Sequence, residues 1–229
     1  MDIILIPGMW LTGSVWAETA TELERRGHRP TSLTLPGLGD GRRDATLDDQ
    51  LVATLTAVDA AERPLVVGHS AACTLAWLVA DRRPDSVAGV AMIGGFPTDD
   101  GDPYFTPFPV VDGAVPFPGW GPFEGADIAD LDEAARQRLA ADAVAVPAGV
   151  TQGIVRLTDE RRFDVGVTLI CPEFSPDDAR EWIAAGDLPE LTRARRVSYV
   201  DLDSGHWPMT SCPAELARVL DEVAGGVAP

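Results

Sequence analysis

The sequence predicts an α/β fold with about six strands in a mostly parallel sheet and helices on both of its faces. Short, wholly apolar runs, such as residues 3–6 (IILI) and 65–67 (LVV), alternate along the chain with helix-length amphipathic segments. Strands that are apolar on both faces are typical of a parallel sheet covered on both sides. A length of 229 residues is enough for one domain of this kind to bury a full core.

The elements follow in order from these apolar runs and from capping residues. Helical spacing over residues 16–26 ends at Gly27, a residue type favoured at helix C-caps. Thr46 is the expected N-cap of the next helix, since Asp48 and Asp49 then lie in its first turn, where the helix dipole favours acidic groups. Pro213 is expected to begin the last helix, because proline is tolerated in a first turn. We predict strands at residues 3–6, 31–35, 65–67, 87–93, 165–171 and 197–202, with helices at 16–26, 47–58, 72–83 and 213–223.

One stretch interrupts the alternation, and we predict that it caps a substrate cavity. Seven of the 19 prolines fall between positions 97 and 122, which excludes a long helix or a central strand there. Residues 130–143 (DLDEAARQRLAADA) predict one helix further on. The chain is expected to be a single domain, residues 1–229, with a cap segment at about residues 97–162. The aromatic residues that suggest a covering role are Phe96, Tyr104, Phe105, Phe108, Phe117, Trp120 and Phe123.

The charge balance argues against nucleic-acid and membrane partners. There are 36 acidic residues against 18 basic ones, and a net charge of −18 repels phosphate backbones and anionic lipid surfaces. All 18 basic residues are arginine, which excludes Schiff-base chemistry through lysine. The apolar runs are far shorter than the ~20 residues of a membrane-spanning helix, and no secretion signal is expected. Three cysteines without metal-ligand spacing make a reduced, cytoplasmic setting the expectation.

The segment LVVGHSAA at residues 65–72 carries the strongest chemical signal. A buried strand runs directly into the pattern G-x-S-x-A, and a helix follows at once. A serine on such a tight turn is held in a strained conformation with its hydroxyl in a cleft. Gly68 leaves room for the turn, and the helix directs its free N–H groups at the serine, which favours negative charge there. Ser70 is therefore the predicted nucleophile.

His206 is the predicted general base, because a serine hydroxyl is a poor nucleophile until a base accepts its proton. The chain has three histidines. His28 follows a helix C-cap and is expected to be a solvated turn residue, while His69 is the variable residue of the serine turn and is expected in the pocket or the core. His206, in the segment DSGHWP, follows the last predicted strand, at the edge where open α/β sheets place their sites.

These segments resemble the α/β-hydrolase family along nearly the whole chain. LIPGMWLTGSVW is similar to the family's oxyanion strand and loop, GHSAA to its nucleophile turn, and SGHWPM to the segment that carries its histidine. The chain is most similar to the short, cofactor-free esterase branch that also contains plant methylesterases and hydroxynitrile lyases. The resemblance implies an oxyanion hole formed by the backbone N–H groups of Met9 and Ala71. Pro7 departs from the family pattern, which usually has a histidine at that position.

The acid that would orient His206 is the least determined member of the site. The family usually places an aspartate in the loop after the strand at residues 165–171; here that loop reads PEFSPDD, with Ser175 at the expected position. Glu173 is the nearest carboxylate and is our prediction. Some relatives take the acid from the loop after the preceding strand, here GGFPTDDGD, which makes Asp100 the second choice. Other carboxylates of these two loops stay open as alternatives: Asp99, Asp102 and Asp177.

The predicted function is hydrolysis of a small, largely apolar or aromatic carboxylic ester. Trp10, His69 and Trp207, together with aromatic residues of the cap segment, are the expected lining of the substrate pocket. A small-molecule substrate is the expected partner, without cofactor or metal, and the oligomeric state stays open, a homodimer included. Two other functions stay open: a lyase, cyclase or decarboxylase reaction with His206 as proton shuttle, and ligand binding without turnover.

Overall fold

The computed structural model describes residues 1–227, which form the predicted α/β architecture. The elements up to the fourth strand are β1 (Asp2–Ile6), α1 (Ala17–Arg25), β2 (Arg29–Ser32), α2 (Leu47–Asp59), β3 (Leu65–His69), α3 (Ala72–Arg82) and β4 (Gly89–Ile93). The cap segment then contains β5 (Ala114–Val115), α4 (Glu133–Asp142), β6 (Val146–Pro147) and α5 (Ala148–Thr151). The chain continues with β7 (Val167–Cys171), α6 (Pro176–Ala185), α7 (Pro189–Arg193), β8 (Val197–Asp201), α8 (Pro208–Ser211) and α9 (Pro213–Val227).

The main sheet has six parallel strands in the order β2-β1-β3-β4-β7-β8, which confirms the predicted fold class. From β1 the chain moves to β2 in one direction, and from β3 it moves through β4 and β7 to β8 in the other. The loops after β1 and β3 therefore diverge and leave a crevice at the carboxyl ends of these two strands, where open α/β sheets bind their ligands.

Both faces of the sheet are covered, as the apolar runs predict. In β1, Ile4 and Ile6 pack in the cluster that contains the α3 side chains, whereas Ile3 and Leu5 pack in the cluster that contains α9. Every residue of β3, β4 and β7 is buried. The edge strands β2 and β8 are only partly buried, because each has a neighbour on one side alone.

The predicted second strand at residues 31–35 is wrong in its position, since β2 spans Arg29–Ser32. β2 is an edge strand that pairs only with β1, in register from Asp2 opposite Arg29 to Leu5 opposite Ser32. The bounds of β2 are therefore set by where β1 begins and ends. For the same reason β4 begins at Gly89, opposite the first residue of β3, and not at the predicted Val87.

The N-cap of helix α2 has the predicted form. The Thr46 side chain accepts a hydrogen bond from the Asp49 N–H at 3.2 Å, and the Asp49 carboxylate accepts the Thr46 N–H at 2.9 Å, so the start of α2 is a capping box.

The expectation of a solvated His28 is wrong. Its side chain is largely buried, and its Nε2 lies 2.9 Å from the Asp221 carboxylate on α9.

Most of the cap segment lacks regular structure, as its prolines predict. β5 and β6 form a short antiparallel pair, with Ala114 opposite Pro147 and Val115 opposite Val146. The predicted helix at residues 130–143 is α4, whose N-cap Asp132 accepts the Ala135 N–H at 2.7 Å. Over residues 1–227, none of the helices has the length and apolar character to cross a membrane, and no cluster of His, Cys, Asp or Glu side chains could hold a metal ion.

Candidate active site

Ser70 lies at the sharp turn between β3 and α3, in the conformation that the sequence pattern predicts. Its φ angle is 55°, which is strained for a residue other than glycine, and its N–H donates to the Ile93 carbonyl at 2.8 Å. Two glycines make this turn sterically feasible. A Cβ on Gly68 would collide with the Ala72 carbonyl, and a Cβ on Gly95 would lie 2.6 Å from the Ser70 carbonyl oxygen. The hydroxyl is thereby held at the carboxyl end of the sheet.

His206 lies on the loop between β8 and α8, and its ring contacts one of the candidate acids. The Nδ1 atom is 2.7 Å from Oε1 of Glu173, which lies in the loop after β7. Both side chains are largely buried, with exposed fractions of 13% and 15%. A carboxylate can only accept here, so Nδ1 carries the proton of the neutral ring and Nε2 is left as a proton acceptor.

Gly94, the residue after β4, provides the space for this pair. A Cβ on Gly94 would lie 3.1 Å and 3.2 Å from the two Glu173 oxygens and 3.2 Å from the His206 Nδ1 atom. Its φ angle of +57° also favours glycine. The end of β4 therefore leaves the room into which Glu173 reaches from the neighbouring strand. The other Glu173 oxygen, Oε2, is buried and has no hydrogen-bond partner within residues 1–227.

The other candidate acids lie elsewhere. Asp100 accepts a hydrogen bond from the Leu157 N–H at 2.8 Å, and Asp177 is exposed and forms an ion pair with Arg180 at 2.6 Å. Among the described residues, no contact joins Asp99 or Asp102 to the His206 ring. Ser175, at the position where the family usually has the acid, is the N-cap of α6, and its hydroxyl accepts the Asp178 N–H at 3.1 Å.

Ser70 and His206 line one cavity of about 280 Å³ at the carboxyl end of the sheet. In the described part of the chain no hydrogen bond joins the Ser70 hydroxyl to the His206 ring; such bonds are often long without substrate and tighten when it binds. Two predicted pocket residues, Trp10 and Trp207, contribute to the wall. The full lining is Met9, Trp10, His69, Ser70, Phe105, Pro107, Phe108, Pro122, Phe123, Asp127, Glu173, His206 and Trp207.

His69 lines this cavity but is held as a buried structural group. Its Nε2 lies 2.7 Å from the His206 carbonyl oxygen, so the ring donates its proton there. Burial is the main cause that lowers the pKa of His69 to about 3, and the nearby His206 adds to this effect. The ring is therefore neutral at physiological pH and ties the turn at Ser70 to the loop that carries His206.

Two backbone N–H groups lie near Ser70, namely that of Met9 on the loop after β1 and that of Ala71, the residue that follows Ser70. In the described residues neither the Met9 nor the Ala71 N–H donates to a protein acceptor, so both are free to bind an oxyanion. A Cβ on Gly8 would lie 2.7 Å from the His69 Nδ1 atom, so the loop passes close to the turn at Ser70 because position 8 is glycine. Trp10 has a φ angle of 64°, and its indole N–H donates to the Val115 carbonyl at 3.1 Å.

The cap segment holds the His206 loop through residues that the sequence analysis missed. The His206 N–H donates to the Asp127 carbonyl at 2.8 Å, and the Gly205 N–H donates to the Asp130 carboxylate at 2.8 Å. A Cβ on Gly205 would collide with the Asp127 carbonyl, so this close approach requires a glycine. In the sequence, the glycine before the histidine in SGHWP indicates that another segment passes close to this loop. It does not indicate which segment of the chain that is.

Comparisons with known proteins agree with the fold described above. The profile of the Alpha/beta hydrolase family matches residues 3–219, so the chain belongs to that family, as the sequence motifs predicted. Among curated protein sequences, none matches this chain significantly.

Solved structures share the fold along the whole chain. An extracellular α/β-hydrolase from a Paenibacillus species, described as sharing structural and functional homology with tobacco salicylic acid binding protein 2, has a TM-score of 0.79 at 17% identity, covering 97% of this chain and 98% of that one. The methylesterase MES16 from Arabidopsis has a TM-score of 0.75 at 15% identity, with 99% of both chains covered. A pyrethroid hydrolase from Sphingobium faniae JZ-2 has a TM-score of 0.70 at 20% identity, covering 98% of this chain and 97% of that one. At these identities the likeness concerns the fold.

Proposed function

We propose that this chain is a serine esterase that hydrolyses small, largely apolar or aromatic carboxylic esters. Ser70 is the nucleophile, His206 the general base, Glu173 the acid that orients the base, and the Met9 and Ala71 N–H groups bind the oxyanion. The observation that carries the proposal is the 2.7 Å contact between His206 Nδ1 and Glu173, with Ser70 in the same cavity as this pair. The methylesterase and hydrolase names of the structural neighbours agree with it.

The reaction follows from the protonation states of these groups. The Nδ1–H group of His206 donates its hydrogen bond to Glu173, so Nε2 accepts the proton of the Ser70 hydroxyl as Oγ bonds to the ester carbonyl carbon. The carbonyl oxygen becomes an anion between the two free N–H groups, each of which contributes roughly 3 kcal/mol in comparable sites. The imidazolium then protonates the leaving alcohol. Water, deprotonated by the same His206, hydrolyses the acyl-serine and releases the acid.

The aromatic cavity suits the apolar part of such a substrate. Its volume of about 280 Å³ and its phenylalanine and tryptophan walls fit a short acyl chain or a single aromatic ring. Trp10 and Trp207 approach Ser70 from opposite segments of the chain, namely the loop after β1 and the loop after β8. The expected pocket is thus built by sheet-edge loops on one side and by the cap segment on the other.

The test is the turnover of p-nitrophenyl butyrate by matched pairs of variants. We expect Ser70→Ala and Glu173→Gln each to lower kcat by roughly 10⁴-fold. The controls are Ser198→Ala and Glu181→Gln, which change exposed residues outside the cavity and are expected to keep wild-type kcat. Wild-type protein should also be labelled covalently at Ser70 by a fluorophosphonate. Full activity of Ser70→Ala would refute the proposal, and an intact Ser70 that never labels would favour a proton-shuttle lyase instead.

A further inference from the structure

The cavity at Ser70 combines aromatic walls with unbalanced negative charge. The rings of Trp10, Phe105, Phe108, Phe123 and Trp207 line it. The acidic groups on its wall are Asp127 and Glu173, and no arginine of the described residues contributes to the lining. Since the whole chain has a net charge of −18, the electrostatic field around the entrance also favours cations over anions.

Asp127 differs from the other acidic side chains near His206 because the protein gives its carboxyl no partner. Glu173 contacts the His206 ring, and Asp130 accepts the Gly205 N–H. Within residues 1–227, the Asp127 carboxyl has neither a hydrogen bond nor an ion pair, although it is close enough to Glu173 and His206 to interact with their charges. Partial burial is the main cause that raises its pKa, the nearby His206 opposes this effect, and Glu173 adds to it. The Asp127 side chain is half-buried at the cavity wall, where its carboxyl can pair with a cationic ligand.

We propose that this cavity selects esters that carry a quaternary ammonium or similar cationic group, with Asp127 as the counter-ion. The inference rests on the proposed ester hydrolysis and names its substrate class. Aromatic faces attract a desolvated cation through the ring quadrupole, and a quaternary ammonium group presents methyl groups that pack against such rings. A carboxylate-bearing ester would instead meet Asp127 and Glu173 in a cavity to which no arginine of the described residues contributes.

The test compares two esters of the same shape. Butyrylcholine carries a positively charged nitrogen at the position where 3,3-dimethylbutyl butyrate has a neutral carbon. Hydrolysis of both esters is measured in a pH-stat. We expect wild-type kcat/KM to be about thirtyfold higher for butyrylcholine. Asp127→Asn should reduce this ratio to about threefold, the part that the aromatic rings supply. Equal values for the two esters in the wild type would overturn the proposal.

A matched control separates the local effect from net charge. Glu124→Gln removes the same charge from an exposed position of the cap segment outside the cavity, and it is expected to leave the thirtyfold ratio of the wild type unchanged. An equal fall of the ratio in both variants would reject Asp127 as the counter-ion. Thermal unfolding checks that Asp127→Asn folds, which is expected because the contact with His206 uses the Asp127 backbone carbonyl.

A binding measurement distinguishes failure of this inference from failure of the proposed function. If neither ester is hydrolysed, the esterase proposal fails, but the cation site is still testable in the Ser70→Ala protein. Tetramethylammonium should change the fluorescence of Trp10 and Trp207 in that variant, and the Ser70→Ala/Asp127→Asn double variant should bind it at least tenfold more weakly, as expected for the loss of about one ion pair. Equal binding by both proteins, or no binding by either, would contradict the cation site.

Discussion

Gly94→Ala tests whether the space beside β4 is what allows Glu173 to orient His206. The new Cβ would lie 3.1–3.2 Å from both Glu173 oxygens and from the His206 Nδ1 atom, so the pair must move by a few tenths of an ångström. A displacement of about 1 Å at a reacting group typically costs about 100-fold in rate, so a few tenths should cost roughly tenfold. Alanine at a φ of +57° also costs roughly 1–2 kcal/mol of folding free energy.

Gly101→Ala is the matched control for backbone strain. Gly101 has a φ of +92°, and a Cβ there would meet no atom within 4 Å. We therefore expect both variants to lose stability in urea unfolding, by about 1–2 kcal/mol. Only Gly94→Ala should also lose roughly tenfold in kcat on p-nitrophenyl butyrate. If Gly94→Ala turns the ester over as fast as Gly101→Ala does, the space beside β4 has no role in orienting the pair.

Two further predictions concern buried ionisable groups. His69 has a pKa of about 3 in the fold, so stability is complete above the unfolded-state pKa of about 6.5 and falls below it by up to about 1.4 kcal/mol per pH unit. His69→Gln should lose less stability than the wild type between pH 7 and pH 5 in urea unfolding, and an equal loss would contradict this. Arg162→Met removes the guanidinium that pairs with the buried carboxylates Glu190 and Asp81. Asp81 keeps its contact with Arg82, but Glu190 loses its ion-pair partner, which should cost about 3–5 kcal/mol. The exposed neighbour Arg161→Met should cost less than about 1 kcal/mol, and similar values for both would refute the argument.

The elements that depend on local physics were predictable from the sequence. β3 and the turn at Ser70 need an apolar run, a glycine that avoids the Ala72 carbonyl and small residues at the start of α3, and all of these are visible in LVVGHSAA. The start of α2 was equally local, because the capping box joins residues only three positions apart. Strand bounds were less accurate, since the length of β2 depends on its register with β1.

Contacts between distant segments were not predictable in the same way. His28 looked like a turn residue because its neighbours in sequence indicate a helix end, but its partner Asp221 lies 193 positions away. The contacts of Asp127 and Asp130 with the His206 loop are of the same kind, since an irregular part of the cap segment supplies the Asp127 carbonyl and the Asp130 carboxylate. No periodicity or capping rule reports where such a segment packs.

The position of the Glu173 side chain depends on the space that Gly94 leaves at the end of β4. Sequence register placed Ser175 where the family has its aspartate, and proximity alone suggested Glu173. The structure adds the physical reason that such a choice is sterically feasible. A glutamate is one methylene longer than an aspartate, and Gly94 leaves the end of β4 open on the side that the longer chain enters. A side chain at position 94 would press on the Glu173 carboxylate and force it to shift. The contact between Glu173 and His206 thus depends on the glycine that follows a neighbouring strand, and the sheet order, with β4 beside β7, brings the two together.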